Sequence, residues 1–337
     1  MSSRLALSIG LAVALVPLAA CGGDDGPSVT IYSGRTESLI GPILADFEEQ
    51  TGIDVEVKYG QSADLALLVD EEMAAGKRNV DVFLSQSPGA MGYLDDGGRL
   101  GVLPADIVDL VPPSVRDVDG RWVGFSGRQR VLVYNTDVLD DADLPMSVFD
   151  LVDPAWQGRI GIAPANGSFQ DFVSAMRVME GDERTEAWLA GLAANDPVAY
   201  ENNNAIVEAV ARGEVEVGLT NHYYNYRRLV EIPSSPTANH QFAAGDPGSV
   251  LVVTGAGVLT GAEADPDALA LVRFLLGQDA QRYFADETFE YPLAIGSTPS
   301  SAVPPADFGD VSGLDFGVIG DDLGSTRQMI VDAGLAG

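Results

Sequence analysis

An α/β fold in two lobes is what this chain predicts, and three observations carry the prediction. Strand and helix signals alternate from residue 29 onward, a long strand-like segment near residue 130 interrupts them, and a second alternating set begins at residue 158. Alternation in β-α-β-α order favours mixed, mainly parallel sheets with helices on both faces. Strand-like crossings between the two sets favour a clamshell with a hinge between its lobes.

Val29-Thr30-Ile31-Tyr32-Ser33 reads as the first strand, and Gly34 supplies a turn before Thr36 or Ser38 caps a helix. Ile40, Ile43, Leu44 and Phe47 recur at helical spacing up to a stop at Thr51-Gly52, while Pro42 leaves two possible starts. Ile53 to Val57 alternates with period two, a half-buried strand. Leu65, Leu68, Val69 and Met73 mark the next helix and Val80 to Leu84 the next strand. In open sheets of this order ligands bind beyond the carboxyl ends of strands, which here are Ser33 to Glu37 and Ser85 to Gly89. Arg128 to Tyr134, following Gly127, is long enough to cross between lobes.

Gly158 to Ala163 opens the second set, with helices expected from about Phe169 to Met179 and from Thr185 to Leu192. Asn202 or Asn203 can cap a helix carrying Ile206, Ala209 and Val210, which Arg212-Gly213 ends. The strand from Val215 follows. Ser249 to Thr254 can return the chain to the first lobe, where a helix with Leu269, Val272, Leu275 and Leu276 packs. The expected lobes are residues 29–127 with about 254–304, and about 128–253 with about 305–337.

Arg4 and the apolar stretch Leu5 to Ala20 form a signal peptide over residues 1–20, ending in Leu18-Ala19-Ala20-Cys21. Pro17 and the small residues before Cys21 favour cleavage over a membrane-spanning helix of about 20 apolar residues. The small-small-Cys ending resembles the lipobox of bacterial lipoproteins. That resemblance implies a lipid on Cys21, residues 21–28 as a flexible tether, and a protein anchored in a cell membrane and facing the exterior or periplasm. Cys21 is the only cysteine, so packing alone must hold the chain together. With 50 Asp plus Glu against 19 Lys plus Arg, a net charge of -31 argues against a nucleic-acid partner.

The chemistry concentrates in Asn221-His222-Tyr223-Tyr224-Asn225-Tyr226. Adjacent tyrosines face opposite sides of a regular strand, so Tyr223 and Tyr224 share a ligand only at a turn or a helix start. Phenolates are hard anionic donors that ionise near pH 10, and a strongly charged cation such as Fe3+ compensates that cost. Calcium would call for several carboxylates, and zinc for more histidine and cysteine than His222, His240 and Cys21 supply. Tyrosines also line pockets for sugars, polyamines and small organic anions, or form protein-interaction surfaces. Gly167-Ser168 before an apolar helix can form an anion-binding nest, and Asn203 and Asn221 can supply amide donors. No HExxH, P-loop or nucleophile-elbow motif is present, and no acid/base set assembles, so an enzyme is disfavoured.

An ordered set of segments then resembles the ferric-ion-binding proteins of bacterial iron ABC importers, over essentially the whole mature chain. These are Ile31-Tyr32-Ser33-Gly34-Arg35, Phe47 to Ile53, Asp81-Val82-Phe83, Gly127 to Asn135, Gly158-Arg159-Ile160-Gly161, Gly213-Glu214-Val215 and Asn221-His222-Tyr223-Tyr224. The resemblance implies a class II type, periplasmic-binding-protein-like clamshell, a monomer, that closes over Fe3+ and delivers it to a membrane permease and its ATPase. It implies Tyr223 and Tyr224 as phenolate ligands. In one branch a synergistic anion, phosphate or carbonate, is also implied, with contacts at Asn166, Gly167, Ser168, Asn203 and Asn221. A branch with a third tyrosine near Gly167 fits poorly, because none lies between Trp156 and Tyr200. The first lobe departs from the family: Thr36 stands for its histidine, Glu37 for the following tyrosine, and Gln86 for its acidic residue. Glu37 is therefore the candidate charged first-lobe ligand, or equally an acid at a helix N-terminus facing backbone N–H groups, and Gln86 is a candidate neutral contact. Arg35, Arg128 and Arg130 can pair with the anion or with cleft carboxylates, or serve equally well at the surface or on the crossing strand.

Overall fold

One strand of 14 residues, Trp122–Asn135, is buried along its whole length and belongs to both halves of the molecule. At roughly 3.3 Å per residue it spans about 46 Å, more than one sheet needs. The computed structural model describes residues 26–304 and 323–335; the leader, Cys21 and residues 305–322 lie outside the described residues.

The first set of elements is β1 Ser28–Ser33, α1 Glu37–Thr51, β2 Asp54–Tyr59, α2 Ser62–Ala74, β3 Val82–Ser85, α3 Pro88–Asp96, the short α4 Ala105–Val108 and β4 Trp122–Asn135. The second set is β5 Ile160–Ile162, α5 Gly167–Glu180, α6 Asp182–Ala194, β6 Val198–Ala199, α7 Asn203–Arg212, β7 Val217–Asn221, α8 His222–Glu231 and β8 Thr237–His240. The chain finishes with β9 Leu251–Val258, α9 Pro266–Leu275, α10 Gln278–Asp286, β10 Tyr291–Pro292 and α11 Leu323–Asp332.

Among the described residues the strands run in the order β2-β1-β3-β9-β4-β7-β5-β6, with β8 and β10 also paired to β4. Pairs β1-β2, β1-β3, β5-β6 and β5-β7 are parallel, as crossover helices require. Every pair that includes β4 or β9 is antiparallel, because these strands carry the chain out to the second lobe and back. The first half of β4 pairs with β9 from Trp122 to Gln129, and the second half pairs with β7 from Arg130 to Tyr134. The hand-over between Gln129 and Arg130 is the crossing point of the two lobes. No helix among the described residues is long and apolar enough to cross a membrane.

Local chemistry sets the helix ends. Gly52 closes α1 at φ 70°, its N–H bonded to Glu48 O at 2.8 Å. Pro42 lies inside α1, which nevertheless starts at Glu37; the carbonyl that Pro42 leaves without a donor belongs to exposed Ser38, where water can reach it. Asn202, rather than Asn203, caps α7 by accepting from Ala205 N at 3.0 Å. Gly34 permits a close approach that shapes the first lobe, since a Cβ there would sit 1.9 Å from Ser62 Oγ at the start of α2.

Of the roles open to it, Arg35 takes the one at the crossing strands and not the one at an anion. Its guanidinium pairs with Glu290 at 2.7 Å and 3.1 Å, both side chains fully buried, and reaches Ser126 of β4 and Thr254 of β9 at 3.3 Å. It ties the end of β1 to the crossing strands and is not available to an anion. Burial disfavours both charges, but the pairing outweighs it, holding Arg35 above and Glu290 below their ordinary values. Breaking one side of such a pair strands the other charge, so Glu290→Gln is expected to cost about 3–5 kcal/mol in urea unfolding. A loss within the usual surface range would remove this pair from the account.

Candidate metal centre

β7 ends at Asn221 and α8 begins at His222, so Tyr223 and Tyr224 fall in the first turn of a helix. The turn solves the geometric problem of adjacent tyrosines: the rings stack with centroids 4.1 Å apart and 28° between planes. Tyr224 is half-buried and lines a cleft cavity of about 310 Å³. Tyr223 is fully buried, and its hydroxyl has no hydrogen-bond partner among the described residues. Burial first, then neighbouring Tyr224, raises its pKa well above the ordinary phenol value. A buried hydroxyl without a partner costs free energy, which a cation displacing its proton would recover.

His222 takes no part. Its Nδ1 accepts from Gln129 N at 3.1 Å, which leaves the Nε2 proton to bond Phe289 O at 2.7 Å, and its ring stacks on Tyr291. Burial lowers its pKa to about 4, so it is a neutral structural residue. His240 Nε2 likewise meets a backbone carbonyl, that of Pro145. Among the described residues no group of three or more His, Cys, Asp or Glu is placed to hold a metal, so a cation here needs the phenols.

The five residues expected at the anion come together beside this turn. Asn166 caps α5 by accepting from Ser168 N at 3.1 Å and from Ser168 Oγ at 2.7 Å. Asn203 Nδ2 donates to Ser168 Oγ at 3.0 Å and to Asn166 Oδ1 at 3.3 Å. Arg130 Nη1 donates to Asn221 Oδ1 at 3.1 Å and reaches Ser168 Oγ at 3.5 Å. Gly167 is the first residue of α5 and lines the cavity, with open space where a Cβ would be. Donors remain unused: Asn221 Nδ2, Arg130 Nη2 and Arg128 Nε are buried without partners. Among the described residues Arg130 makes no salt bridge; it packs on the Phe172 ring at 5.3 Å, and its burial lowers its pKa to about 9. A buried cation with only neutral hydrogen-bond partners favours a bound anion.

The first-lobe wall of the cavity is formed by Gly34, Gln61, Ser62, Ala63, Asp64, Gln86 and Ser87. Gln86 is on this wall. Glu37 does not line the cavity; it sits exposed in the first turn of α1 beside Gly41 and Tyr59, held by the direction of the helix that it begins. Asp64, in the first turn of α2, occupies the wall instead.

One contact bridges the lobes: Ser87 Oγ donates to Asp171 Oδ1 of α5 at 2.7 Å. Beside it Arg128 Nη2, near the crossing point of β4, donates to the Gln86 carbonyl. Burial raises Asp171 to about 6, opposed by Ser87 and by Arg128, Arg130 and Arg327. Asp171 was not anticipated, and Ser87, within the expected Ser85 to Gly89 segment, was not expected to pair across the cleft. The available signal was a run of polar residues, Gln170, Asp171 and Ser174, on a helix face otherwise built from Phe169, Phe172, Val173 and Met176.

Comparison with known proteins follows this geometry. A model of the bacterial extracellular solute-binding protein family matches residues 32–282. The chain is 30% identical over 319 residues to the "Fe(3+)-binding periplasmic protein" of Serratia marcescens, covering 94% of this chain and 92% of that protein. It is 32% identical over 270 residues to the "Major ferric iron-binding protein" of Neisseria meningitidis, covering 79% of this chain and 80% of that one. The crystal structure of iron-bound HitA from Pseudomonas aeruginosa superposes with a TM-score of 0.85 at 32% identity, over 92% of this chain and 100% of the other.

Proposed function

Because the chain belongs to the bacterial extracellular solute-binding protein family, and within it to the ferric-ion-binding proteins, we propose that it captures Fe3+ outside the cytoplasm for an ABC importer. It is a binding protein and not an enzyme. The observation that carries the reading is the helix-start tyrosine pair, with one phenol buried without a partner and the other open to the cleft.

Iron meets the second lobe first. Tyr223 and Tyr224 release their protons to solvent and bind it as phenolates, and an oxyanion, phosphate or carbonate, bound by Asn166, Gly167, Ser168, Asn203 and Asn221 fills further positions. Arg130, beneath this group, supplies the compensating charge. Closure then brings up the first lobe, and only contacts better made in the closed form favour it. Ser87 with Asp171 is such a contact. On the first-lobe side, Gln86 faces the cleft, and Asp64 is the carboxylate we assign there in place of Glu37. Cys21, once lipidated, anchors the carrier to the membrane, and a permease with its ATPase receives the iron.

Metal analysis of protein purified without added iron, followed by Fe3+ titration with and without phosphate or carbonate, tests the assignment. Saturation at one Fe3+ per chain is expected, with tighter binding when the anion is present. Binding of a sugar, polyamine or organic anion with no ferric affinity would overturn it.

A further inference from the structure

We propose that Arg327, on α11, is a further cation of the anion subsite beside Arg130 and works with Arg128 to hold the outward oxygens of the oxyanion that accompanies iron. This rests on the function proposed above and adds a residue from an element that the local motifs do not reach.

α11 docks on α5 through polar contacts. Thr326 Oγ1 meets Ser174 Oγ at 2.8 Å, Arg177 Nη1 donates to Thr326 Oγ1 at 2.8 Å, and Ile330 is buried. The next residue after Thr326 is thereby placed at the cavity, and Arg327 lines it together with Arg128. Its Nε donates to Gln170 Oε1 at 2.8 Å, which fixes the plane of the guanidinium. Gln170 Nε2 in turn donates to the carbonyls of Pro164 and Ala165 at 3.4 Å and 3.3 Å, the two residues just before Asn166-Gly167-Ser168. One amide therefore sets both the arginine and the loop that carries the anion nest.

The Nη groups of Arg327 meet no acceptor among the described residues. Arg128, 2% exposed, keeps its Nε unpartnered on the same cavity, an independent sign that a donor there awaits a ligand. The electrostatic need is plain in a chain with a net charge of -31, whose cavity also presents Asp64, Asp171 and Glu201. An anion enters such a cleft only where local cations reverse the field. Arginine suits the task because its planar fork matches pairs of oxyanion oxygens.

The test compares wild type with Arg327→Gln and Arg327→Lys. Ferric affinity is measured with and without inorganic phosphate, and the enhancement is taken as the ratio. Calorimetry of phosphate binding to iron-free protein and the unfolding midpoint without ligands complete the set, and a citrate arm separates a longer carboxylate ligand from free phosphate. Arg327→Gln is expected to lose about 10-fold of the phosphate enhancement with an unchanged unfolding midpoint, and Arg327→Lys to recover part of it. A larger loss with citrate than with phosphate assigns the outward oxygens to a polycarboxylate. Unchanged phosphate binding and unchanged enhancement in Arg327→Gln would overturn the proposal, as would a loss that tracks a fallen midpoint in both variants. Failure of wild type to bind Fe3+ would instead strike the functional reading, since the calorimetric arm reports on Arg327 without iron.

Discussion

Tyr223→Phe is expected to weaken ferric binding by at least about 100-fold while making the iron-free protein more stable. The two effects come from one oxygen atom. Structural Zn2+ in zinc-finger peptides is worth on the order of 10–16 kcal/mol over four ligands, about 2.5–4 kcal/mol each, and an anionic phenolate facing the more highly charged Fe3+ falls at or above that share. In the iron-free chain the same hydroxyl is fully buried and unpartnered, an arrangement that costs about 1–3 kcal/mol. Deleting it removes both the ligand and the penalty. Tyr224→Phe should weaken iron binding similarly without the gain in stability, because its phenol is open to the cleft. Urea unfolding of the two iron-free variants separates these outcomes. A destabilised Tyr223→Phe protein would show that the hydroxyl has a stabilising partner and is not held ready for a metal.

Acid should release the iron steeply. Each phenol that becomes a ligand gives up a proton, so two protons leave per iron bound and rising acidity drives them back. Burial holds Tyr223 well above the ordinary phenol value in the iron-free protein, so it is protonated throughout the physiological range. The sign is therefore fixed: affinity rises with pH, by about 100-fold per unit while both phenols start protonated. Competition against a ferric chelator at several pH values, corrected for the chelator's own protonation, measures the slope. A slope near zero would mean that the ligands bind iron without losing protons, which phenols cannot do.

The features legible in the sequence are those set by neighbours along the chain. A period-two run located β2, Thr51-Gly52 located the end of α1, and Asn202-Asn203 located the start of α7 to within one residue. The argument that adjacent tyrosines need a helix start to share a ligand anticipated the join of β7 to α8. Features set by distant partners were not legible. Arg35 lies 255 residues from Glu290, and nothing local distinguishes a buried ion-paired arginine from one facing a cleft. Ser87 and Asp171 meet across 84 residues only because the lobes come together. Glu37 and Asp64 both occupy first turns of helices after first-lobe strands, and the tilt of α1 and α2, rather than their spacing, decides which one lines the cavity. The antiparallel pairing of β9 was likewise hidden, because strand direction depends on which sheet edge the returning chain joins.

The central claim is that Tyr223 and Tyr224 together donate phenolate oxygens to Fe3+, and visible absorption reads that bond directly. Adding Fe3+ to the purified protein should produce a tyrosinate-to-iron charge-transfer band that saturates at one iron per chain, weakens in either single Phe variant, and vanishes in Tyr223→Phe/Tyr224→Phe. A band of undiminished strength in the double variant would contradict the account.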